Sequence, residues 1–580
     1  MNPLPTLRVR RSLVELQDEY KQGNTKPLLD LMRAWQGIKG LKYEDLRSFF
    51  ALAGYHGEPF RGPGQYSSNF WGGFCNHGNV LFPTWHRVYC LKVEEALQSI
   101  PGCEEVTLPY WDQTATYLEE ATGEWVVQGV PWALTVPTIK TEDGQDMPNP
   151  LLSFRFPIEV LDEVPSDKNE FTRPQGYETV RYPLSGLVGD EAMRQASEAH
   201  NQQYPDYATN VQLLDQNVVA WLTNTLELPG QPGKPGQPDQ PPTKRPIGVA
   251  HEFERCLDAP NYTVFSNTTS AQQWNETYDP SSDPQHLVVP LESPHNHIHL
   301  AVGGFDVPGQ GDFSPIAGAN GDMGENDTAA MDPLFFFHHC NIDRVFWLWQ
   351  KKHNRTDYLD IIKNYPGTNS NDSQFPTPGY APNTALDVDS PLNPFQKYTG
   401  EVYTSNDCLN IETQLGYTYS KGSLEAEELL AARSLLAAVP PATKVLRVTN
   451  INRAPIKGSF IVAVYHHTGD TKELVGYHSV LSRWDPVSCS NCKTHLEVKA
   501  FFPLHAALAD SATEDDFRVH LIHRRQDTPY LDRFAAANLA PDPQPAENLH
   551  VNRMATATTA ADNLLTKRLE ASKPYRLTIK

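Results

Sequence analysis

His295 and His299 lie four residues apart in Ser293-Pro-His-Asn-His-Ile-His299. That spacing is close to one helical turn, so both imidazoles can face one ion. His339, in Asp332-Pro-Leu-Phe-Phe-Phe-His-His-Cys-Asn-Ile-Asp343, falls on a stripe with Phe335, Phe336, Asp343 and Trp347 and can supply a third ligand. Asp343 stands one turn after His339, where a carboxylate can hold the second ring nitrogen of a ligating histidine; this favours His339 over its neighbour His338. Upstream, His77 and His86 are separated by a loop and a helix start, and His56 lies just past a helix end. The result is two sets of three histidines. Imidazoles alone exclude a hard-cation site, since calcium and magnesium require oxygen ligands. Three histidines with an open position suit zinc or copper. No Glu or Asp falls in register with them, so copper is favoured, although chemistry alone leaves zinc open. His297, two residues from either neighbour, and His338 are expected to pack or to meet solvent.

The elements that must carry these residues are helices. Residues 12–53 show helical patterns, with Gly54 as a C-cap before His56. Phe82-Pro-Thr-Trp-His-Arg87 opens a second helical segment running through Leu97. Ser293 and Pro294 read as the N-cap and first position of a third, and Asp332 and Pro333 as those of a fourth. Four helices facing inward are an established way to hold a dinuclear site. The tract 229–242, rich in Pro and Gly, predicts a surface excursion. Beyond Tyr417-Thr-Tyr419 the character changes: residues 420–442 are small, charged and rich in Ala and Leu. From Lys444 the pattern alternates at 445–449, 460–465, 517–522 and 575–579. The expected fold is a mainly α core, a four-helix bundle with long loops around a dinuclear site, plus a C-terminal β-sandwich. The expected boundaries are a helical domain at 1–420, a protease-sensitive linker at 421–443 and a β-rich domain at 444–580.

The chain has 580 residues, more than one ordinary domain, and a net charge of −22 spread along its length. That argues against nucleic acid and anionic membranes as partners and leaves a homo-oligomer open. No apolar run approaches a bilayer span. The N-terminus lacks the apolar core of a signal peptide, which predicts a cytoplasmic or a cell-wall-associated protein exported by a non-classical route.

His77-x4-Phe-Pro-Thr-Trp-His86-Arg87 with Glu94 resembles the first copper signature of tyrosinases and other type-3 copper proteins. The 332–343 segment resembles the second, and Ser-Pro-His295-Asn-His-Ile-His299 the family's HNxxH element. Ala53-Gly-Tyr-His56-Gly, Cys75-x-His77, 259–266 and the Tyr-x-Tyr at 417–419 are similar to fungal tyrosinases in particular. The resemblance spans essentially the whole chain; Cys90, where the family usually has an aliphatic residue or Thr, is a departure that touches packing.

The resemblance implies His56, His77 and His86 for one copper ion and His295, His299 and His339 for a second. It implies a thioether between Cys75 and His77, where the residues alone are also met by a buried free thiol. It implies that Glu292 and Asn296 hold a water that deprotonates the incoming phenol; by position alone Glu292 is a carboxylate at a helix N-terminus. It implies copper loading by Cys489 and Cys492, which taken alone are half a zinc site or a disulfide. The activity implied is that of a latent oxidase taking O₂ and phenolic small molecules, with monophenol hydroxylation, oxidation of o-diphenols to o-quinones and melanin-type pigment chemistry. A catechol oxidase or o-aminophenol oxidase without hydroxylation, and an O₂-carrying hemocyanin, share the motifs. The C-terminal domain is expected to act as a lid, with Val480 and Leu481 where a blocking aromatic would be looked for.

Overall fold

A computed structural model describes residues 7–57, 73–119, 125–160, 173–186, 191–228, 242–277, 287–309, 320–370, 380, 384–425, 444–454, 456, 458–469, 471–483, 496–523 and 575–580. Its α-helices, in chain order, are α1 (Leu13–Lys21), α2 (Lys26–Gly40), α3 (Phe49–Gly54), α4 (Phe82–Gln98), α5 (Glu191–Asn201), α6 (Tyr207–Thr223), α7 (Val249–Cys256), α8 (Tyr262–Ser266), α9 (Thr268–Thr277), α10 (Glu292–Gly303), α11 (Leu334–Lys352), α12 (Ile411–Gln414) and α13 (Ala506–Ser511).

Most of these helices bury one stripe. Helix α2 does so through Leu28, Leu31, Met32, Trp35 and Ile38. Helices α10 and α11 differ: every residue of α10, and all of α11 from Leu334 to Gln350, is buried. A helix covered on all sides lies inside the protein, and here His295, His299 and His339 are among the buried polar residues. Helix α11 begins at Leu334 with Pro333 as N-cap, one residue later than the expected Asp332–Pro333 start, and Asp332 Oδ1 accepts from Leu334 N at 2.9 Å just ahead of it. Helix α10 begins at Glu292, earlier than the expected Ser293–Pro294 start, with Leu291 as N-cap. Pro294 is tolerated there because the first-turn N–H groups have no intrahelical partner to lose.

The helical part is closed by its own ends. Strand Arg8–Arg10 pairs in parallel with Tyr417–Tyr419, Arg8 opposite Tyr417. Just beyond, Ser423 N donates to Asp112 Oδ2 at 2.8 Å, and Glu425 Oε2 lies 2.6 Å from Arg344 Nη2. Residues 421–425, expected to begin the linker, therefore pack on the helical part. The remainder of that stretch, 426–443, lies outside the described residues, as do most of the 229–242 tract, Cys489 and Cys492.

The C-terminal residues form two three-stranded antiparallel sheets. One has the order 497–504, 444–452, 576–579; the other has the order 471–480, 460–468, 517–523. Alternation along 460–464 assigns the faces. Phe460, Val462 and Val464 join Leu446, Val448, Phe502 and Phe517 in one apolar cluster. Ile461 and Ala463 point the other way and join the core of the helical part, with Tyr477. A strand covered on both faces is apolar at every position, as this one is from Phe460 to Val464. Polar contacts reinforce the junction: Lys499 Nζ meets Glu276 Oε2 at 2.8 Å, and Tyr477 OH donates to Ile247 O at 3.2 Å. Strands 471–480 and 497–504 were not expected from the sequence. The first opens with exposed Thr-Lys-Glu, which hides its alternation. Among the described residues no helix is long and apolar enough to cross a membrane.

Candidate metal centre

The turn after α3 places His56, whose N–H donates to Ala53 O at 3.2 Å. His77 sits in a polar turn in which Asn79 donates to Asn76 Oδ1 at 3.1 Å and accepts from Leu81 N at 2.9 Å, just before α4 starts. One turn into α4, His86 Nδ1 donates to Phe82 O at 2.8 Å, which leaves Nε2 as an acceptor. The three rings stand with centroids 5.1–5.6 Å apart.

His295 and His299 project from α10 and His339 from α11. Their Nε2 atoms lie 3.1, 3.2 and 3.3 Å from one another. His295 Nδ1 donates to Asn296 Oδ1 at 2.9 Å and His299 Nδ1 to Met323 O at 2.8 Å, so their lone pairs both face the shared point. The trios adjoin: the His86 and His339 rings stack at 4.5 Å, and those of His77 and His295 lie 5.5 Å apart.

The residues fit two soft or borderline cations. Nε2 of His56, His77 and His86, and Nδ1 of His56 and His339, are buried without a hydrogen-bond partner. Convergent lone pairs with no proton to share are costly unless an ion meets them. Burial holds the imidazoles in the neutral, ligating form, lowering His86 to about 3 and His299 to about 4, with neighbouring histidines pushing His56, His295 and His339 down further. Two groups with ligand atoms within 4.8 Å of one another result: His56, His77 and His86, and His295, His299, His338 and His339.

His338 and His297 were expected to pack or meet solvent, and both are buried. His338 stacks on His295 with centroids at 5.3 Å, its Nδ1 2.9 Å from Gln113 Nε2. His297 faces away, its Nδ1 2.5 Å from Glu252 Oε2 and its ring against Trp221 and Tyr477.

Asp343 does not reach His339, contrary to expectation. Its Oδ1 accepts from Arg87 Nε at 2.5 Å, and its Oδ2 from the hydroxyls of Tyr417 and Tyr419, both at 2.6 Å. Arg10 links Asp343 to Glu94, its Nη1 3.5 Å from Asp343 Oδ2 and its Nε 2.8 Å from Glu94 Oε2. The carboxylate therefore ties α11 to α4 and to the closing strands.

Glu292 is buried in a cradle. Oε1 accepts from Gly78 N at 2.8 Å, and Oε2 from Thr268 N and Oγ1 at 2.8 and 2.9 Å. Burial raises its pKa, opposed by these bonds and by Arg453. Glu292, Asn296 and His77 line a cleft of about 80 Å³ whose other wall is C-terminal: Arg453, Val480, Leu481 and Arg483. Cys75 is a buried thiol whose Sγ accepts from Arg483 Nη2 at 3.3 Å and Asn326 Nδ2 at 3.6 Å. Arg453, Arg483 and Asn326 were not singled out in the sequence, because nothing in their local pattern marks a contact made across hundreds of residues.

The comparisons agree with this geometry. Residues 46–352 match the family described as the common central domain of tyrosinase. Tyrosinase HcTyr2 of Hahella sp. is 50% identical over 532 residues, covering 89% of this chain and 92% of its own. A tyrosinase of Aspergillus oryzae is 41% identical over 547 residues, covering 90% and 96%. Among solved structures, the tyrosinase from Burkholderia thailandensis at low pH superposes with a TM-score of 0.76 at 46% identity over 99% of this chain and 100% of its own.

Proposed function

The chain belongs to the tyrosinase family, and from that premise we propose that it is a latent tyrosinase, using O₂ to hydroxylate monophenols at the ortho position and to oxidise o-diphenols to o-quinones. The observation that carries this reading is the pair of adjoining histidine trios with ring nitrogens aimed at shared points. His56, His77 and His86 would hold one copper ion, and His295, His299 and His339 the second. Copper bound there supplies the electron exchange with O₂.

The chain's own residues do the rest. Phe335, its ring 3.9 Å from that of His339 and 4.7 Å from that of His56, closes the floor of the site to water. A phenol ionises near pH ~10, so a base is needed for it to bind as phenolate. Glu292, its proton affinity raised by burial, takes that proton through a water held with Asn296 at the cleft. Asn296 also fixes the tautomer of His295. Cys75 is assigned a thioether to His77, and Cys489 with Cys492 the delivery of copper.

The chain divides into a helical part that runs through residue 425, a cleavable segment at 426–443 and a C-terminal part at 444–580, the first a four-helix bundle around the site and the last a β-sandwich acting as a lid. The C-terminal wall of the cleft supports this reading, since Arg453, Val480 and Leu481 line the same cleft as Glu292. The test is metal content and o-quinone formation from tyrosine and from a catechol, on the intact chain and after limited proteolysis. Copper at the sites, with quinone formation that rises on nicking, is the expected result.

A further inference from the structure

Tyr398 is unlike every other described tyrosine. It is 93% exposed, whereas Tyr358 and Tyr117 reach 51% and 49%, and its hydroxyl makes no hydrogen bond to the described residues. It sits on a fixed support, at the tip of the hairpin formed by 391–396 and 402–404. Lys397 N donates to Glu401 O at 2.8 Å and Gly400 N to Lys397 O at 2.9 Å, with Gly400 at φ +86°, a value that favours glycine. The hairpin is anchored on α4: Trp85 Nε1 donates to Asn393 O at 2.7 Å, and Phe395 packs on Trp85 with ring centroids 5.0 Å apart. A phenol is thus held out from the surface by a rigid stem.

A primary amine is beside it. Lys92 Nζ, on α4, lies 5.7 Å from the centroid of the Tyr398 ring and 5.0 Å from that of Tyr403. Glu95 Oε2, 2.8 Å from the same Nζ, can accept a proton from it.

We propose that Tyr398 is a self-modification site: it is oxidised by a second copy of this enzyme and then captured by Lys92 as a covalent cross-link. The proposal rests on the phenol-oxidase reading above, which supplies the oxidant. In the first step the Tyr398 phenol and O₂ give the o-quinone and one water, the ring gaining one oxygen and losing two hydrogens. In the second, the Lys92 amine, having given its ammonium proton to Glu95 or solvent, adds to a ring carbon of the quinone. The N–C bond forms, the amine proton and the displaced ring proton pass to the two quinone oxygens, and the ring is reduced to a catechol. The product is a secondary amine joining the 397–401 turn to α4, the helix that carries His86. The first step is between molecules, because Tyr398 lies on the outer surface and the cleft is inside; the second is within one chain.

The experiment uses copper-loaded full-length chain, intact and after limited proteolysis, incubated in air and mapped by peptide mass spectrometry, with tyrosine and catechol assays run alongside. The expected result is a Tyr398 peptide carrying one added oxygen less two hydrogens and joined to the Lys92 peptide, at a rate that falls in proportion to dilution. Lys92→Arg should retain oxidation at Tyr398 and lose the cross-link; Tyr398→Phe should lose both and turn over free catechol as the parent does. Oxidation of free phenol with Tyr398 unmodified in both forms, or modification of Tyr358 and Tyr117 in its place, would overturn the proposal alone. Oxidation at Tyr398 without the Lys92 adduct would overturn the cross-link. Failure to oxidise free phenol at all would remove the function reading and this inference with it.

Discussion

Arg483 reaches Cys75 across 408 residues of sequence, its Nη2 donating to Sγ at 3.3 Å. The same guanidinium donates to Asp327 Oδ1 at 3.0 Å and to the backbone oxygen of His56 at 3.4 Å. Nearby, Asn326 N donates to Ser482 O at 3.1 Å, and Ser459 N to Glu325 Oε2 at 3.3 Å. The loop 325–327 is thus the seat on which the C-terminal part rests beside the first histidine trio.

Arg483→Ala should loosen this seat. Removing one partner of a buried ion pair costs about 3–5 kcal/mol. The uncut variant should oxidise catechol faster than the uncut parent and gain less on proteolysis. Quinone formation before and after nicking measures both, and an uncut variant as slow as the uncut parent would remove Arg483 as a latch.

His339→Ala should release copper from the second trio, because two imidazoles remain where three converged. His338→Ala should keep that copper, since its Nδ1 accepts from Gln113 Nε2, which leaves the proton on Nε2 and no lone pair there for a metal. Metal analysis after dialysis separates the two variants, and the opposite order would reassign the ligand.

Glu292→Gln changes a group whose two oxygens accept three N–H or O–H donors. An amide nitrogen cannot accept, so one of Gly78 and Thr268 loses its partner. Loss of the base should depress tyrosine hydroxylation by roughly a hundredfold while catechol oxidation falls far less. Steady-state rates on both substrates decide, and equal losses would mean that the residue only holds the cradle.

Asp343→Asn should destabilise the protein in a pH-dependent way. Arg87 and Arg10 hold the buried carboxylate below its usual range despite desolvation. A group whose folded value is depressed contributes fully above its unfolded value, ~3.9, and loses the contribution as pH falls through the lower folded value. The parent should therefore exceed the variant in Tm at neutral pH by an amount that shrinks in acid. A gap constant from pH 7 to pH 3 would contradict the network.

The histidine pattern was legible because ligands on helices obey local spacing: His295 with His299, and His86 on a helix whose start Pro83 marks. The second coordination layer was not. Asp343 looked like a partner for His339 at one turn, but its oxygens are claimed by Arg87, Tyr417 and Tyr419, which lie 256, 74 and 76 residues away. Strand 460–468 was legible as strand, since Phe460 to Val464 are apolar at every position. That its two faces serve different cores was not, because both faces carry the same residue types. A blocking aromatic was looked for at Val480 and Leu481; the C-terminal wall of the cleft there consists of these two residues with Arg453 and Arg483, whose proximity depends on how the sheets dock.

The parallel pairing of Arg8–Arg10 with Tyr417–Tyr419 bears on what survives a cut. A chain severed anywhere in 426–443 leaves the helical part with both of its ends inside a clasp: the first strand bonded to the last, Ser423 on Asp112 and Glu425 on Arg344. Neither end can fray without opening the other, and Arg10 and Tyr417, which make the clasp, also brace the helices bearing His86 and His339. Shedding the C-terminal part therefore leaves the frame locked.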